Sequence, residues 1–281
     1  MSVLYKKSGY LYNSFKIFYL KEASSKTFEY HYHDFHKVMI FLQGSISYAV
    51  EGREYDLLPG DTILIPAGQI HRPIFREGNS YERIIAYISQ DFFDSFIQDG
   101  CDLFDCFSQA IKKQSNLVRF APEYAAHLNK ISETLAHSFQ ENAFGSQLYQ
   151  KTKFTEYLIL LNRFLLQDDH SHLLEGTANT QVLRILDYIN QNITEDLSID
   201  SIANEFHLNR SYIMHLFKAE TGYTIGKYIT EKRLFLANYY VSLGDSMTDA
   251  CFKSGFRNYT TFYQAYKNKY HCSPKQMQSL L

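Results

Sequence analysis

The order of apolar and polar positions divides the chain into a β-textured part and two helical parts. From about residue 14 to 88, short alternating or apolar runs (Lys37–Leu42, Ser45–Val50, Thr62–Ile65, Ile84–Ile88) are separated by turn signals. These are Gln43-Gly44, Glu51-Gly52, Pro59-Gly60-Asp61, Pro66-Ala67-Gly68 and Glu77-Gly78-Asn79. Runs of that length bounded by Gly- and Pro-bearing turns predict strands, and their close spacing predicts a small barrel or jelly roll. Strand alternation places His31, His33, Lys37, Met39 and Phe41 on one face, and Arg83, Ile85 and Tyr87 alternate in the same way. Between Asp91 and Asp169 the period becomes helical, through Tyr124, Leu128, Ile131 and Leu135 and then Phe154, Tyr157, Leu158, Leu161, Phe164 and Leu165. These helices are expected to cover the barrel. A second reading gives the later one a further task, an apolar face with Leu161 and Leu165 offered to a second subunit.

A polar stretch with little periodicity, Gln167 to Asn179, predicts a linker. The expected domains are residues 1–170, a linker at 171–179, and residues 180–281. Beyond the linker only helices are predicted: Thr180–Ile193, Ile199–Phe206, Arg210–Thr221, Ile225–Val241, Met247–Ser254 and Tyr259–Tyr270. Ser198 and Ser246 stand at N-cap positions, Gly222 and Gly244 at helix ends, and Pro274 in the first turn of a short final helix. The fold class is therefore α+β.

Composition adds limits. Apolar residues at 45% and charged residues at 21% describe a globular chain, and 281 residues accommodate two domains. The net charge of -2 excludes a generally basic nucleic-acid coat. Its distribution is uneven: residues 1–176 carry 17 Lys/Arg against 21 Asp/Glu, whereas residues 177–281 carry 11 against 9. The four cysteines, Cys101, Cys106, Cys251 and Cys272, have neither metal nor disulfide spacing, so reduced thiols are expected. The first ten residues lack an apolar signal core and no run is long enough for a membrane span. A cytoplasmic protein without a membrane partner is expected.

The C-terminal helices contain a half-repeat. Ile202 to Lys218 and Ala250 to Lys267 each read as helix, tight turn and second helix, with Asn209 and Asn258 as matching N-caps. In the first copy Ile202, Phe206, Leu208, Ile213, Leu216 and Phe217 have the spacing of a helix-turn-helix core. Arg210, Ser211, Met214, His215 and Lys218 are left outward. In the second copy Phe252, Phe256, Phe262 and Tyr266 form the predicted core, and Thr260, Thr261, Gln264 and Lys267 face outward. The second helix of such a unit is the element that enters a major groove, so double-stranded DNA is the expected partner. Gln pairs bidentately with adenine and Thr reaches a thymine methyl, while Arg210, Lys218, Arg257, Lys267 and Lys269 suit phosphates.

Across residues 180–281 the chain resembles the AraC/XylS-type transcriptional activators. The resemblance is carried by Leu216 to Ile229, by Arg233-Leu234 with Ala237, and by Gly255-Phe256, Asn258, Phe262, Tyr266-Lys267 and Ser273-Pro274. Departures are Ala250-Cys251 for a common Ile-Ala, Tyr266 for a usual Phe, and Gln276 or Gln278 near a typical Arg. The resemblance implies a linking helix, about Gly226–Val241, that sets two recognition helices into successive grooves. It also implies a homodimer, an RNA polymerase contact, and an N-terminal arm (about Tyr5–Phe15) that folds over a bound effector.

The N-terminal constellation His31-Tyr32-His33-Asp34-Phe35-His36-Lys37, Gly44, and Gly60-Asp61 followed by Pro66-Ala67-Gly68-Gln69-Ile70-His71 resembles the two cupin motifs. The implied architecture is a cupin-like β-barrel with flanking helices, followed by an all-α domain with two helix-turn-helix units. In metal-binding cupins the fourth ligand is a carboxylate at the place held here by Lys37, so no metal or other cofactor is expected. The expected site is instead an effector pocket formed by His31, His33, Lys37, Met39, His71, Arg83 and Tyr87, suited to a sugar or small carboxylate. The whole then reads as a sequence-specific transcriptional regulator, in the activator sense, and not an enzyme. Two alternatives stay open: a metal-binding cupin enzyme fused to a DNA-binding module, and a sensor half used only for dimerisation.

Overall fold

The computed structural model describes residues 11, 13–23, 28–75, 80–97, 100–141, 143–167, 172–274 and 276. The chain divides into two compact units, Met1–Thr177 and Ala178–Leu281. Most of the expected N-terminal arm, the turn at 77–79 and residue 171 of the expected linker lie outside the described residues, while Leu173–Leu174 of that linker form a strand of the N-terminal sheet.

The N-terminal unit runs β1 (Phe15–Ala23), β2 (His36–Gln43), β3 (Ile46–Val50), β4 (Arg53–Asp56), β5 (Thr62–Ile65), β6 (His71–Phe75) and β7 (Ser80–Ile88). It continues with α1 (Gln90–Ile97), α2 (Asp105–Lys112), β8 (Leu117–Val118), α3 (Pro122–Ser138), α4 (Ser146–Gln167) and β9 (Leu173–Leu174). One sheet has the order β1-β7-β2-β5-β8-β9, and a second contains β4-β3-β6. The pleat sorts their side chains. Met39, Phe41, Ile63, Ile65 and Ile85 of the first sheet meet Ile46, Tyr48 and Val50 of the second in one apolar interior. The alternate residues Val38, Ile40, Leu64, Ile84, Ala86 and Ile88 join Phe92, Phe107, Leu128, Leu135, Phe154, Leu158 and Leu161 from the helices in another. Lys37 opposite Tyr87, Met39 opposite Ile85, and Phe41 opposite Arg83 give the register that faces these residues inward together.

The helical cover forms as its periodicity predicts, with one correction. Leu161 and Leu165 are 0% and 1% exposed and belong to the layer between helices and sheet, so they present no face to a second subunit. The outward apolar residues of α4 are Leu148, Tyr149 and Leu166.

His36, at the start of β2, shows how this layer treats a titratable group. Its ring packs on Phe104, Phe107 and Phe93 at centroid distances of 4.9, 5.3 and 5.7 Å, and its Nδ1 accepts from Ala67 N at 3.1 Å. Burial pulls its pKa down to about 4, against a smaller upward push from a hydrogen bond with Gln90. The unfolded imidazole therefore takes up its proton first, and this site makes the fold less stable as pH falls from about 7 towards 4. Between pH 7.5 and 5 the loss is expected to be about 2 kcal/mol. His36→Asn keeps an acceptor for Ala67 N–H, so urea unfolding of the variant at both pH values should lack that increment. Equal pH dependence in parent and variant would remove His36 from the account.

The C-terminal unit contains α5 (Thr180–Gln191), α6 (Ile199–Glu205), α7 (Arg210–Thr221), α8 (Ile225–Ser242), α9 (Met247–Lys253) and α10 (Tyr259–Tyr270). Caps explain these limits. Asn209 Oδ1 accepts from Ser211 N at 2.8 Å and Asn258 Oδ1 from Thr261 N at 2.8 Å, while Ser198 and Ser246 accept from Ser201 N and Asp249 N. Gly222 closes α7 in the left-handed conformation, φ 72°.

The half-repeat extends to the backbone of its turns. In the first, Leu208 N–H bonds Ala203 O and His207 N–H bonds Asn204 O; in the second, Phe256 N–H bonds Cys251 O and Gly255 N–H bonds Phe252 O. Both are six-to-one and five-to-two helix closures around a left-handed residue, His207 at φ 53° and Gly255 at φ 91°. This register corrects the predicted core. Phe252 matches Asn204 and is 52% exposed, while Cys251 matches Ala203 and is buried. Leu234, Ala237, Ala250, Cys251, Phe256, Phe262 and Tyr266 make the core that joins α8 to the second unit.

Candidate effector pocket and nucleic-acid interface

The histidine cluster is assembled where His31 forms a β-bridge with His71 at the start of β6. His31 and His71 exchange main-chain hydrogen bonds, His31 N to His71 O at 3.1 Å and His71 N to His31 O at 2.8 Å, and Gly68 N donates to His33 O at 2.8 Å. The imidazoles converge: centroids are 4.5 Å apart for His31 and His71, 5.0 Å for His31 and His33, and 5.3 Å for His33 and His71. One ring nitrogen from each lies within 4.8 Å of the other two. Nδ1 of His31 is 2.9 Å from Glu29 O, and Nδ1 of His71 is 2.9 Å from Gln69 O. A carbonyl only accepts, so in both rings Nδ1 carries the hydrogen and Nε2 bears the lone pair of the neutral form. His33 stacks on Phe35 at 4.6 Å and 9°.

Lys37 enters this cluster from β2. It is buried, donates to Tyr48 Oη at 2.8 Å, and lies 3.4 Å from His71 Nε2, which accepts from it. Burial, reinforced by the like charge of Arg83, pulls Lys37 down to about 7, and burial with the positive field of Lys37 holds His71 well below the usual imidazole value. Lys37 makes no ion pair with any described residue. Arg83 differs. It is buried, pairs with Glu22 at 2.9 Å and lies over the Tyr81 ring at 3.8 Å. Tyr87 packs on Phe35 at 4.5 Å and near His33 at 5.5 Å.

The structure thus brings His31, His33, Lys37, His71 and Tyr87 together. It places Met39 in the filled interior, where its sulfur accepts from Tyr81 Oη at 2.8 Å. Tyr48 and Phe35 were not singled out from the sequence. Tyr48 had a signal, since Ile46, Tyr48 and Val50 alternate within the Ser45–Val50 run, but its pairing with Lys37 is a long-range fact.

On α7, Arg210, Ser211, Met214, His215 and Lys218 are exposed while Ile213 and Phe217 are buried. On α10, Thr260, Thr261, Gln264 and Lys267 are exposed while Phe262 and Tyr266 are buried, and Arg257 is exposed just before the cap. Two arginines are held by carboxylates: Arg210 on both oxygens of Asp200 at 2.8 and 2.7 Å, and Arg257 on Asp196 at 2.6 Å. Tyr212 and Phe252, which the sequence reading left out of the outward faces, are also exposed. Arg233 on α8 donates to Ile193 O at 2.8 Å and Glu195 O at 2.6 Å, so it fixes the loop after α5. Tyr266, standing for a usual Phe, uses its hydroxyl to donate to Asn238 at 3.0 Å.

Two tandem helix-turn-helix units with outward polar faces, preceded by a barrel with an internal polar cluster, define a ligand-sensing transcriptional regulator. The profile of the AraC-like ligand binding domain matches residues 17–158, and that of a helix-turn-helix domain matches residues 202–279. The chain belongs to the AraC family of transcriptional regulators. It is similar to the HTH-type transcriptional activator RhaS of Shigella sonnei, 23% identical over 261 residues that cover 89% of this chain and 87% of the relative. The same activator of Escherichia coli (strain SMS-3-5 / SECEC) is 22% identical over the same shares. Among solved structures, ToxT from Vibrio cholerae is 14% identical over 96% of this chain and 99% of that chain, with a TM-score of 0.37. Among the described residues no helix is long and apolar enough to cross a membrane.

Proposed function

We propose that the N-terminal unit binds a small carboxylate, or a sugar as the weaker alternative, beside His31, His33, Lys37, His71, Arg83 and Tyr87. Occupancy of this pocket sets the activity of the DNA-reading half. The observation that carries the reading is Lys37, an interior amino group that has hydroxyl and imidazole partners but no carboxylate. A buried cation without a counter-charge is costly, and an incoming anion relieves that cost. Arg83 already has Glu22, so Lys37 is the better anchor. On this reading the protein is a cytoplasmic, homodimeric activator without catalytic chemistry, it contacts RNA polymerase, and residues 171–179 link its domains.

A thermal-shift screen over organic acids, fatty acids and sugars tests the pocket. A ligand at 100 times its dissociation constant adds about 2.7 kcal/mol to the native state, so a bound acid should raise Tm clearly in the parent. The shift should vanish in Lys37→Met. A library that leaves Tm and promoter affinity unchanged would sink the effector reading.

The reading residues proposed on α7 are Arg210, Ser211, Met214, His215 and Lys218, and those around α10 are Arg257, Thr260, Thr261, Gln264 and Lys267. Gln264→Ala should relax base preference at one position by about 1–3 kcal/mol in a binding-site selection. Lys267→Ala should weaken all sequences alike and reduce the slope of log affinity against log salt by about 0.9. Unchanged preference in the first variant, or an unchanged slope in the second, removes that residue from the interface.

A further inference from the structure

A barrel with three converging imidazoles invites a transition metal, and the residues present meet most of that requirement. Nδ1 of both His31 and His71 donates to a backbone carbonyl two residues earlier in the chain. This is how metal-ligating histidines are oriented, with Nε2 left for the ion. The three candidate ring nitrogens lie within 4.8 Å of one another. Tetrahedral bonds of about 2.0–2.1 Å require nitrogens about 3.4 Å apart, so side-chain rotations moving the rings together by about 1.4 Å complete the set.

The fit fails at one place. Lys37 Nζ stands 3.4 Å from His71 Nε2 and donates to it, so the lone pair a metal needs is engaged. The same amino group is anchored by its 2.8 Å bond to Tyr48. Whether ammonium or neutral amine, it donates N–H here, and neither form lets His71 face an ion. Lys37 is buried on a middle strand of the sheet, between β5 and β7, opposite Ile65 on one side and Tyr87 on the other.

We infer that the Lys37 amino group occupies the metal's place, which closes an otherwise assembled three-histidine site to divalent transition metals and reserves His71 for hydrogen bonding. One residue therefore separates this effector pocket from a metal centre. The inference does not depend on which effector binds.

Cobalt titration of the tag-free, full-length protein at pH 7 tests it, because tetrahedral Co2+ has a strong visible ligand-field band and the assay needs no effector or DNA. The parent should show no such band. Lys37→Glu, which supplies a carboxylate donor at the same place, should bind one Co2+ with that band, roughly 100-fold or more tighter than the parent. Adding His71→Ala should abolish it. Circular dichroism and Tm establish that each variant is folded, and if Lys37→Glu is not, Lys37→Gln serves, with weaker binding through three imidazoles and water. A histidine-dependent cobalt band in the parent overturns the inference. So does a folded Lys37→Glu or Lys37→Gln protein that takes no cobalt, or loss of the fold in both, which would make Lys37 a structural donor. A failed effector screen leaves this result untouched.

Discussion

Replacing Arg119 with Met is expected to destabilise the N-terminal unit by about 2–3 kcal/mol, less than the about 3–5 kcal/mol of a fully buried ion pair because the Arg119 side chain is itself 33% exposed. Asp61 lies before β5 and its side chain is only 2% exposed. Arg119 grips it with two parallel bonds, Nε at 2.8 Å and a terminal nitrogen at 2.6 Å, and the latter also reaches Asp56 O at 3.0 Å. Leu58 N–H supplies one more bond to the carboxylate, at 2.7 Å. With the guanidinium gone, that single amide must hold a buried negative charge. The exposed pair of Lys153 and Glu156 provides the comparison: Lys153→Ala should change stability by no more than about 1 kcal/mol. Urea unfolding of both variants decides the matter, and equal small losses would show that Asp61 finds water or another donor.

Gly255→Ala should cost the C-terminal unit about 2–5 kcal/mol and abolish tight DNA binding. Its φ of 91° is left-handed, a conformation that costs an L-residue about 1–2 kcal/mol. An added Cβ would also stand 2.7 Å from both Ile193 O and Thr194 Cα and 3.0 Å from Arg233 Nε, and such overpacking costs about 1–3 kcal/mol. Gly244→Ala separates the two causes. Its φ is 98°, but nothing lies within 4 Å of the added carbon, so only the conformational part should appear. If thermal unfolding showed the same loss for both glycines, the close approach of the α9–α10 turn to the 193–194 backbone would carry no weight.

The helical half was legible in the sequence because capping residues mark its ends locally. Asn209, Asn258, Ser198 and Ser246 each bond an amide two or three residues onward, so no distant information is needed. Phe252 is misplaced by apolar spacing because the two copies differ in length: His207 precedes Asn209 by two residues and Gly255 precedes Asn258 by three, so the turns align one residue away from the caps. In the barrel, β2 and β5 read clearly. β1 escaped because it is apolar on both sides, with Ile17 and Tyr19 towards the helices and Phe18 and Leu20 towards the interior, which erases alternation. β6 was hidden by Pro73, tolerated because β6 is the outer strand beside β3 and a proline there forfeits no central ladder bond. The three histidines were placed together correctly from their motif. The pairings that decide what the cluster does are long-range: Tyr48 reaches Lys37 from the other sheet and Glu22 reaches Arg83 from the adjoining strand β1, so neither pairing left a local signal.

β2 is a shared wall with a different tenant on each side. Lys37, Met39 and Phe41 look into the barrel, while the interleaved Val38 and Ile40 belong to the same apolar layer as Phe154, Leu158 and Leu161 of α4. Neighbouring residues of a strand ride on one stiff backbone, and both layers are packed too densely to absorb a shift. A guest that displaces Lys37 therefore displaces Val38 as well. Its arrival would then reach the outer helix as a push through the wall, without passing through any surface loop.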